Sequence, residues 1–245
     1  MDGATAPRIV LLDGFTMDLD GRGPSVEIDH LPRAVQRLVA LLSLSGQPTR
    51  TAVAGQLWPD VVEEHSHGSL RSALWRLQKA ARGLIETPGD ALRLAAGVRV
   101  DVRELDDWSR RVMDPETGLD ELELPPTRLQ GELLPGWYDD WVLVERERLR
   151  QQRMHALEVV AARLARARRF GQALQAALAA VRAEPLRESA HRTVVRVHLA
   201  EGNLSEAVRA YDAFRILIDD ELGIHPTAQM TRLVDGLGRG RSAPT

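Results

Sequence analysis

Between Ser66 and Arg82 the chain reads SHGSLRSALWRLQKAAR, which contains Arg71, Arg76, Lys79 and Arg82 and no Asp or Glu. On a helical wheel Leu70, Leu74, Leu77 and Ala81 form one apolar stripe. Ser72, Trp75, Arg76 and Lys79 lie opposite, with Arg71 and Arg82 on the flank. Cations gathered on one side of a helix attract a polyanion, so the chemistry implied is recognition and not bond making. The whole chain carries a net charge of −3 from 32 Lys and Arg against 35 Asp and Glu. A basic face in an acidic chain is a local device, and strong non-specific binding by the entire protein is not expected.

Catalytic and metal chemistry finds little support. The chain has no Cys, which removes disulfides, thiol catalysis and cysteine-zinc sites together. His65-Ser66-His67 lacks partner ligands at metal spacing and reads as a turn beside phosphates, with His67 a candidate contact. No phosphate-binding Gly-rich loop and no Gly-x-Ser-x-Gly occurs. Asp139-Asp140 and Glu145-Arg146-Glu147-Arg148 read as the charged exterior of a helix start. Trp137, Tyr138 and Trp141 read as staples holding a long helix onto a helical repeat stack. No enzyme, cofactor or metal is expected.

The elements that must position the basic helix are legible around it. Arg33–Ser45 has an apolar face wide enough for a domain core, and Gly46 and Pro48 stop it. Thr49 is a plausible N-cap of a short helix carrying Val53, Leu57 and Trp58, which ends at Pro59. Ser66 is a possible cap of the basic helix after the polar connection Asp60–His65. Leu84–Thr87 and Ala91–Ala95 read as strands joined by the turn Pro88-Gly89-Asp90. Upstream, Arg8–Leu12, Phe15–Leu19 and Val26–Ile28 read as strands separated by Asp13-Gly14 and by Asp20-Gly21-Arg22-Gly23-Pro24. Helix, helix, basic helix, hairpin is the order of a winged helix-turn-helix, in which a helix enters the roughly 12 Å major groove. Arg93 follows the hairpin turn, and alternation with Leu92 and Leu94 points it away from the core, toward a minor groove.

The second half repeats itself. Phe170, Ala173, Leu174 and Ala177 align with Leu204, Ala207, Val208 and Tyr211 at an offset of 34 residues, the tetratricopeptide period. Such helix pairs bury their faces only against neighbours, so a further unit is expected from Trp141–Arg168 with Val102–Met113, and a closing helix from Thr227–Leu237. Gly236–Thr245 reads as a tail. The start lacks the pattern of a signal peptide, and no run of about 18 apolar residues occurs, so a cytoplasmic protein without a membrane partner is expected.

Along Arg8–Val100 the chain resembles the OmpR-type DNA-binding domain, and it resembles the SARP activators of antibiotic pathways at RAVQRLVALLSLSGQ (Arg33–Gln47), LWPD (Leu57–Asp60), SLRSALWRLQ (Ser69–Gln78) and TPGDALRL (Thr87–Leu94). It departs from that pattern at Leu77-Gln78-Lys79 and Asp90-Ala91. The second half resembles the bacterial transcriptional activation domain at GELLPGWYDDWVLVERERLR (Gly131–Arg150), in the paired repeats, and at DDELGIHPTAQMTRL (Asp219–Leu233). The resemblance implies a mainly α protein. Residues 1–100 form a winged helix-turn-helix with a small antiparallel sheet and a wing hairpin, 101–240 an all-α repeat domain, and 241–245 a flexible tail. It further implies a pathway-specific activator that binds direct repeats in double-stranded DNA as a head-to-tail dimer and recruits RNA polymerase holoenzyme. Arg71, Ser72, Trp75, Arg76, Lys79, Arg93, His67 and Arg82 are then the DNA-binding candidates. The alternative is a helical-repeat adaptor or ligand sensor whose winged helix contacts protein.

Overall fold

The computed structural model describes residues 6–19, 31–235 and 237, so the expected strand Val26–Ile28, the turn before it and most of the tail lie outside the described residues. Strand β1 (Arg8–Val10) pairs antiparallel with β2 (Thr16–Asp18), with Ile9 opposite Met17. Three helices follow: α1 (Arg33–Leu44), α2 (Arg50–Leu57) and α3 (Glu63–Ala80). The hairpin β3 (Ile85–Glu86) and β4 (Arg93–Leu94) comes next, then β5 (Arg99–Val100) and α4 (Asp101–Met113). β5 lies on the free side of β1 and runs parallel to it, so the sheet β2-β1-β5 is mixed, where a purely antiparallel one was expected. Val35, Leu38, Val39 and Leu42 of α1, Val53 and Leu57 of α2, and Leu70, Ala73 and Leu77 of α3 form the core beneath, with Leu92 and Leu94 from the hairpin. Thr49 caps α2 as its type suggests, accepting the Ala52 N–H at 3.2 Å.

The chain divides into two compact units, 1–107 with 125–149, and 108–124 with 150–245. The boundary expected after Val100 therefore leaves out a segment that folds with the first unit. Residues 131–134 extend the sheet: Leu12 bridges Leu133, Asp13 N–H donates to the Glu132 carbonyl at 2.8 Å, and Leu134 N–H donates to Leu11 at 2.8 Å. Gly131 permits this approach, because a Cβ there would fall 2.3 Å from the Asp13 carboxylate. Trp137 stacks on Phe15 at 5.9 Å, with the Arg33 guanidinium 3.4 Å above its ring, and Asp139 pairs with Arg37 at 2.5 Å. Trp137 and Trp141 are thus buried in the first unit, while Tyr138 is 80% exposed. These aromatics do not fasten a helix to the repeat stack, as the sequence suggested. Nor is Arg146 simply exterior charge: it donates to the carbonyls of Leu133, Leu134 and Trp137.

In the second unit α6 (Phe170–Ala183), α7 (Glu188–Glu201) and α8 (Leu204–Leu222) follow the long helix α5 (Asp140–Arg166). α6 and α8 start 34 residues apart, as the repeat requires. Ala173 and Ala207 are fully buried, which lets the helix axes approach closely. Gly202, at φ 87°, closes α7 in the left-handed conformation, while Asn203 N–H reaches back to the His198 carbonyl. Arg163 donates to the carbonyls of Val112, Asp114, Pro115 and Thr117, which pairs the end of α5 with the end of α4. The expected closing helix Thr227–Leu237 is helical only over α9 (Ala228–Thr231). Beyond it Leu233, Val234 and Leu237 donate three residues back, so the chain continues as turns. Met230 still fills the core with Val195, Ala207, Phe214 and Ile218.

Two expected outcomes follow from buried groups. Asp101, 1% exposed, accepts the N–H groups of Leu11, Leu12 and Val102. Asp101→Asn removes one acceptor oxygen and turns an NH2 toward the same donors, so urea unfolding should show a loss of about 1–3 kcal/mol. His191 stacks on Phe214 at 4.4 Å and donates from Nε2 to the Pro185 carbonyl, and burial holds its pKa below the ordinary value. The unfolded chain therefore takes up this proton before the folded one does, and stability is lost as pH falls below the ordinary histidine range. His191→Gln should flatten the decline in urea midpoint between pH 7.5 and 5.5, and an unchanged slope would contradict the assignment.

Candidate nucleic-acid interface

Helix α3 begins at Glu63, three residues before the expected start. Glu63 and Glu64 occupy the first turn, where carboxylates suit the positive end of the helix dipole. Ser66 is not a cap: it is buried, and its hydroxyl donates back to the Glu63 carbonyl at 2.8 Å. The buried stripe runs Ser66, Leu70, Ala73, Leu77 and Ala81, with Leu74 only half-buried, so it is rotated slightly from the stripe expected on apolarity alone. Ala73, 2% exposed, takes the inward position that apolarity alone assigns to Leu74.

That rotation leaves Arg71, Ser72, Trp75, Arg76, Lys79 and Arg82 all exposed on the outer side. Trp75 is 66% exposed, a high value for the residue type with the most apolar area to hide. Lys79 lies over its ring, with Nζ 5.8 Å from the centroid. Arg71, Arg76 and Arg82 have no ion pair among the described residues. Their charge is therefore directed at solvent. His67 stands apart from this set, half-buried on the flank with Nε2 3.7 Å from Glu63.

The hairpin sits beside this face. Ile85 pairs with Leu94 and Glu86 with Arg93, and Gly89 takes φ 62° in the turn between them. Its base is tied to the start of α2: Arg50 N–H donates to Asp90 at 2.9 Å, Leu92 N–H donates to Pro48 at 2.9 Å, and Thr49 bridges Ala91. Arg93 does not point freely outward. Its Nε donates to one oxygen of Glu86 at 2.7 Å, and Nη2 lies 2.6 Å from the same oxygen. Glu86 is held below the usual carboxylate range by that bond first, and also by the Ala96 N–H.

Between hairpin, α2 and α3 lies an open recess of about 460 Å3, lined by Arg50, Arg71, Trp75, Gln78 and Thr87. Neither Arg50 nor Gln78 was among the contact candidates expected from the sequence. The only signal for Arg50 was its place directly after the capping Thr49, where a side chain stands at the mouth of the helix. A second recess of about 740 Å3 runs along the other flank of α3, past Trp58, His65, Arg71 and Arg76. Among the described residues no group of three or more His, Cys, Asp or Glu could hold a metal, and no helix is long and apolar enough to cross a membrane.

The family model of the bacterial transcriptional activator domain matches residues 106–237. Among solved structures the chain is similar to EmbR of Mycobacterium tuberculosis, in complex with a low-affinity phosphopeptide, at a TM-score of 0.70 and 18% identity. The likeness covers 94% of this chain and 64% of that one, and at this identity it is a likeness of fold. No curated protein sequence matches.

The two sides of α3 should respond differently to truncation. Leu70→Ala opens a cavity under the helix and should cost about 2–5 kcal/mol. Trp75→Ala and Arg76→Ala should stay within about 0.5 kcal/mol of the parent, as surface substitutions do. Chemical denaturation of the three variants checks the assignment, and a large loss in Trp75→Ala would place that ring in the core.

Proposed function

The chain belongs to the family of the bacterial transcriptional activator domain, and on that premise we propose a DNA-binding activator that lays α3 in the major groove. The family is one of transcriptional regulators and not of enzymes. The observation that carries the reading is the outer side of α3, where Arg71, Ser72, Trp75, Arg76 and Lys79 are exposed together and, among the described residues, Arg71, Arg76 and Arg82 have no ion pair. In this reading Arg71, Arg76 and Lys79 meet guanine edges or phosphates, Ser72 a base edge, and Trp75 sugar or a thymine methyl. Arg82 and His67 approach the backbone at the two ends of the helix, and Arg50 closes the recess beside Trp75 with a further cation. Arg93 belongs to the wing.

The finer features of the family resemblance form part of the same proposal. The helical repeats present a surface to RNA polymerase, and two copies bind direct repeats head to tail upstream of genes for one secondary-metabolic pathway. A head-to-tail contact is heterologous, so it need not give a stable dimer free in solution. The protein works inside the cell.

Footprinting of the full chain across its host genome, followed by binding to the recovered sites at several salt concentrations, tests this. Affinity should fall steeply and linearly in log salt, as counterion release demands. Arg76→Ala should lose about 1–3 kcal/mol on the recovered site if it reads a base edge. Loss that is equal on all sequences would reduce Arg76 to a phosphate contact. No salt-dependent binding would favour the adaptor that contacts protein.

A further inference from the structure

Of the basic side chains assigned to the interface, Arg93 is the one whose charge is met by a carboxylate on a neighbouring strand. Glu86 and Arg93 stand directly opposite each other in the hairpin register. Both Nε and Nη2 of Arg93 engage the same Glu86 oxygen, at 2.7 and 2.6 Å, while the two side chains remain 39% and 42% exposed. The Ala96 N–H, just beyond β4, also binds Glu86, so the carboxylate is held from two directions. From Leu84 to Ala95 the chain carries Glu86 and Asp90 against Arg93, a net charge of −1, whereas Ser66–Arg82 carries four cations and no acid. The wing thus opposes the polyanion that the helix attracts.

We propose that Glu86 is a specificity-determining residue of the interface: it neutralises Arg93 and so removes the wing from the sequence-independent attraction to phosphate. This rests on the DNA-binding reading. An exposed ion pair is weak, yet this one needs only to outweigh one loosely docked phosphate contact. On arbitrary DNA, where α3 makes no base contacts to press the wing home, Arg93 stays with Glu86. Sequence-independent affinity then depends on the cations outside the wing, and the margin between cognate and random DNA is wider than it would be with Arg93 also free.

The test needs no operator. Full-length parent, Glu86→Gln, Arg93→Ala and the double variant are titrated with a fluorescent 30-base-pair duplex of random sequence between 50 and 200 mM salt. Glu86→Gln should bind several-fold more tightly at 50 mM, and its log K should fall more steeply with log salt by about 0.9, the contribution of one added phosphate contact. Its advantage then shrinks roughly threefold across that range. Arg93→Ala alone should leave the slope unchanged, and adding it to Glu86→Gln should return the slope to that of the parent. Both single variants lose the same ion pair, so mere loosening of the hairpin would make them behave alike, and that result overturns the proposal. It is equally overturned if Arg93→Ala alone flattens the slope by about 0.9 while Glu86→Gln changes nothing, because Arg93 would then reach DNA in the parent. A parent that binds with no salt dependence fails the DNA-binding reading itself, a result distinct from either pattern among the variants.

Discussion

One buried carboxylate ties together the unit that carries the interface. Asp101 stands at the junction of β5 and α4 and takes the N–H groups of Leu11 and Leu12 at the end of β1, along with that of Val102 in its own helix. Burial pushes its carboxyl above the ordinary range, and three donors only partly offset this. The acceptor is retained because, among the described residues, those N–H groups have no other partner once β1 ends. With β1 fixed, β5 can run beside it and Leu12 can bridge Leu133. α4 then leaves the sheet in one direction, and Arg103 on it reaches the carbonyls of Leu42 and Ser43 at the end of α1. The helix that packs under α3 is thereby locked at its last turn by a group whose position is set in the sheet.

From that lock the proposed interface takes its frame. α1 and α2 support α3 through Leu70, Ala73 and Leu77, and the hairpin is fastened to the mouth of α2 by backbone bonds rather than by long side chains. Exposed cations on α3 therefore rest on a fixed frame, which reduces the ordering cost of binding. The electrostatics are asymmetric across the frame. Among the described residues the arginines on the outer side of α3 have no ion pair, and the wing is paired and slightly acidic.

What could be read in the sequence was local. Thr49 as a cap, the Pro88-Gly89-Asp90 turn, the basic helix and the 34-residue offset each depend on residues within a turn or a repeat of one another, and each is found. The same is true of the exposed set on α3, whose polar identity settles its side. The misses are long-range or a matter of size. Leu74 outranks Ala73 on apolarity, yet Ala73 is the one buried, so the helix is rotated by a packing that single residues do not encode. Ser66 looked like a cap because its type prefers that role, yet the helix gains another turn from Glu63 and Glu64 at the positive end of its dipole. Nothing local marks Asp101 as different from any other acid at a helix start, since its partners lie about ninety residues earlier.

The segment Gly131–Arg150 shows why a motif and a folding unit need not coincide. By resemblance it belongs to the activation half, and the family match from 106 to 237 includes it. By contact, 125–149 folds with the first unit, through Gly131 against Asp13, Trp137 against Phe15 and Asp139 against Arg37. A chain cut at Val100 would lose Asp101, the strand partner of Leu12 and the cover over Phe15 in one step, and would expose the N–H groups of Leu11 and Leu12. The interface helix and the activation motif thus share one core, because the sheet beneath α1 is completed by residues that come after the winged helix ends. Arg33 and Arg37 connect α1 to Trp137 and Asp139, so residues 131–139 are part of the frame on which α3 rests.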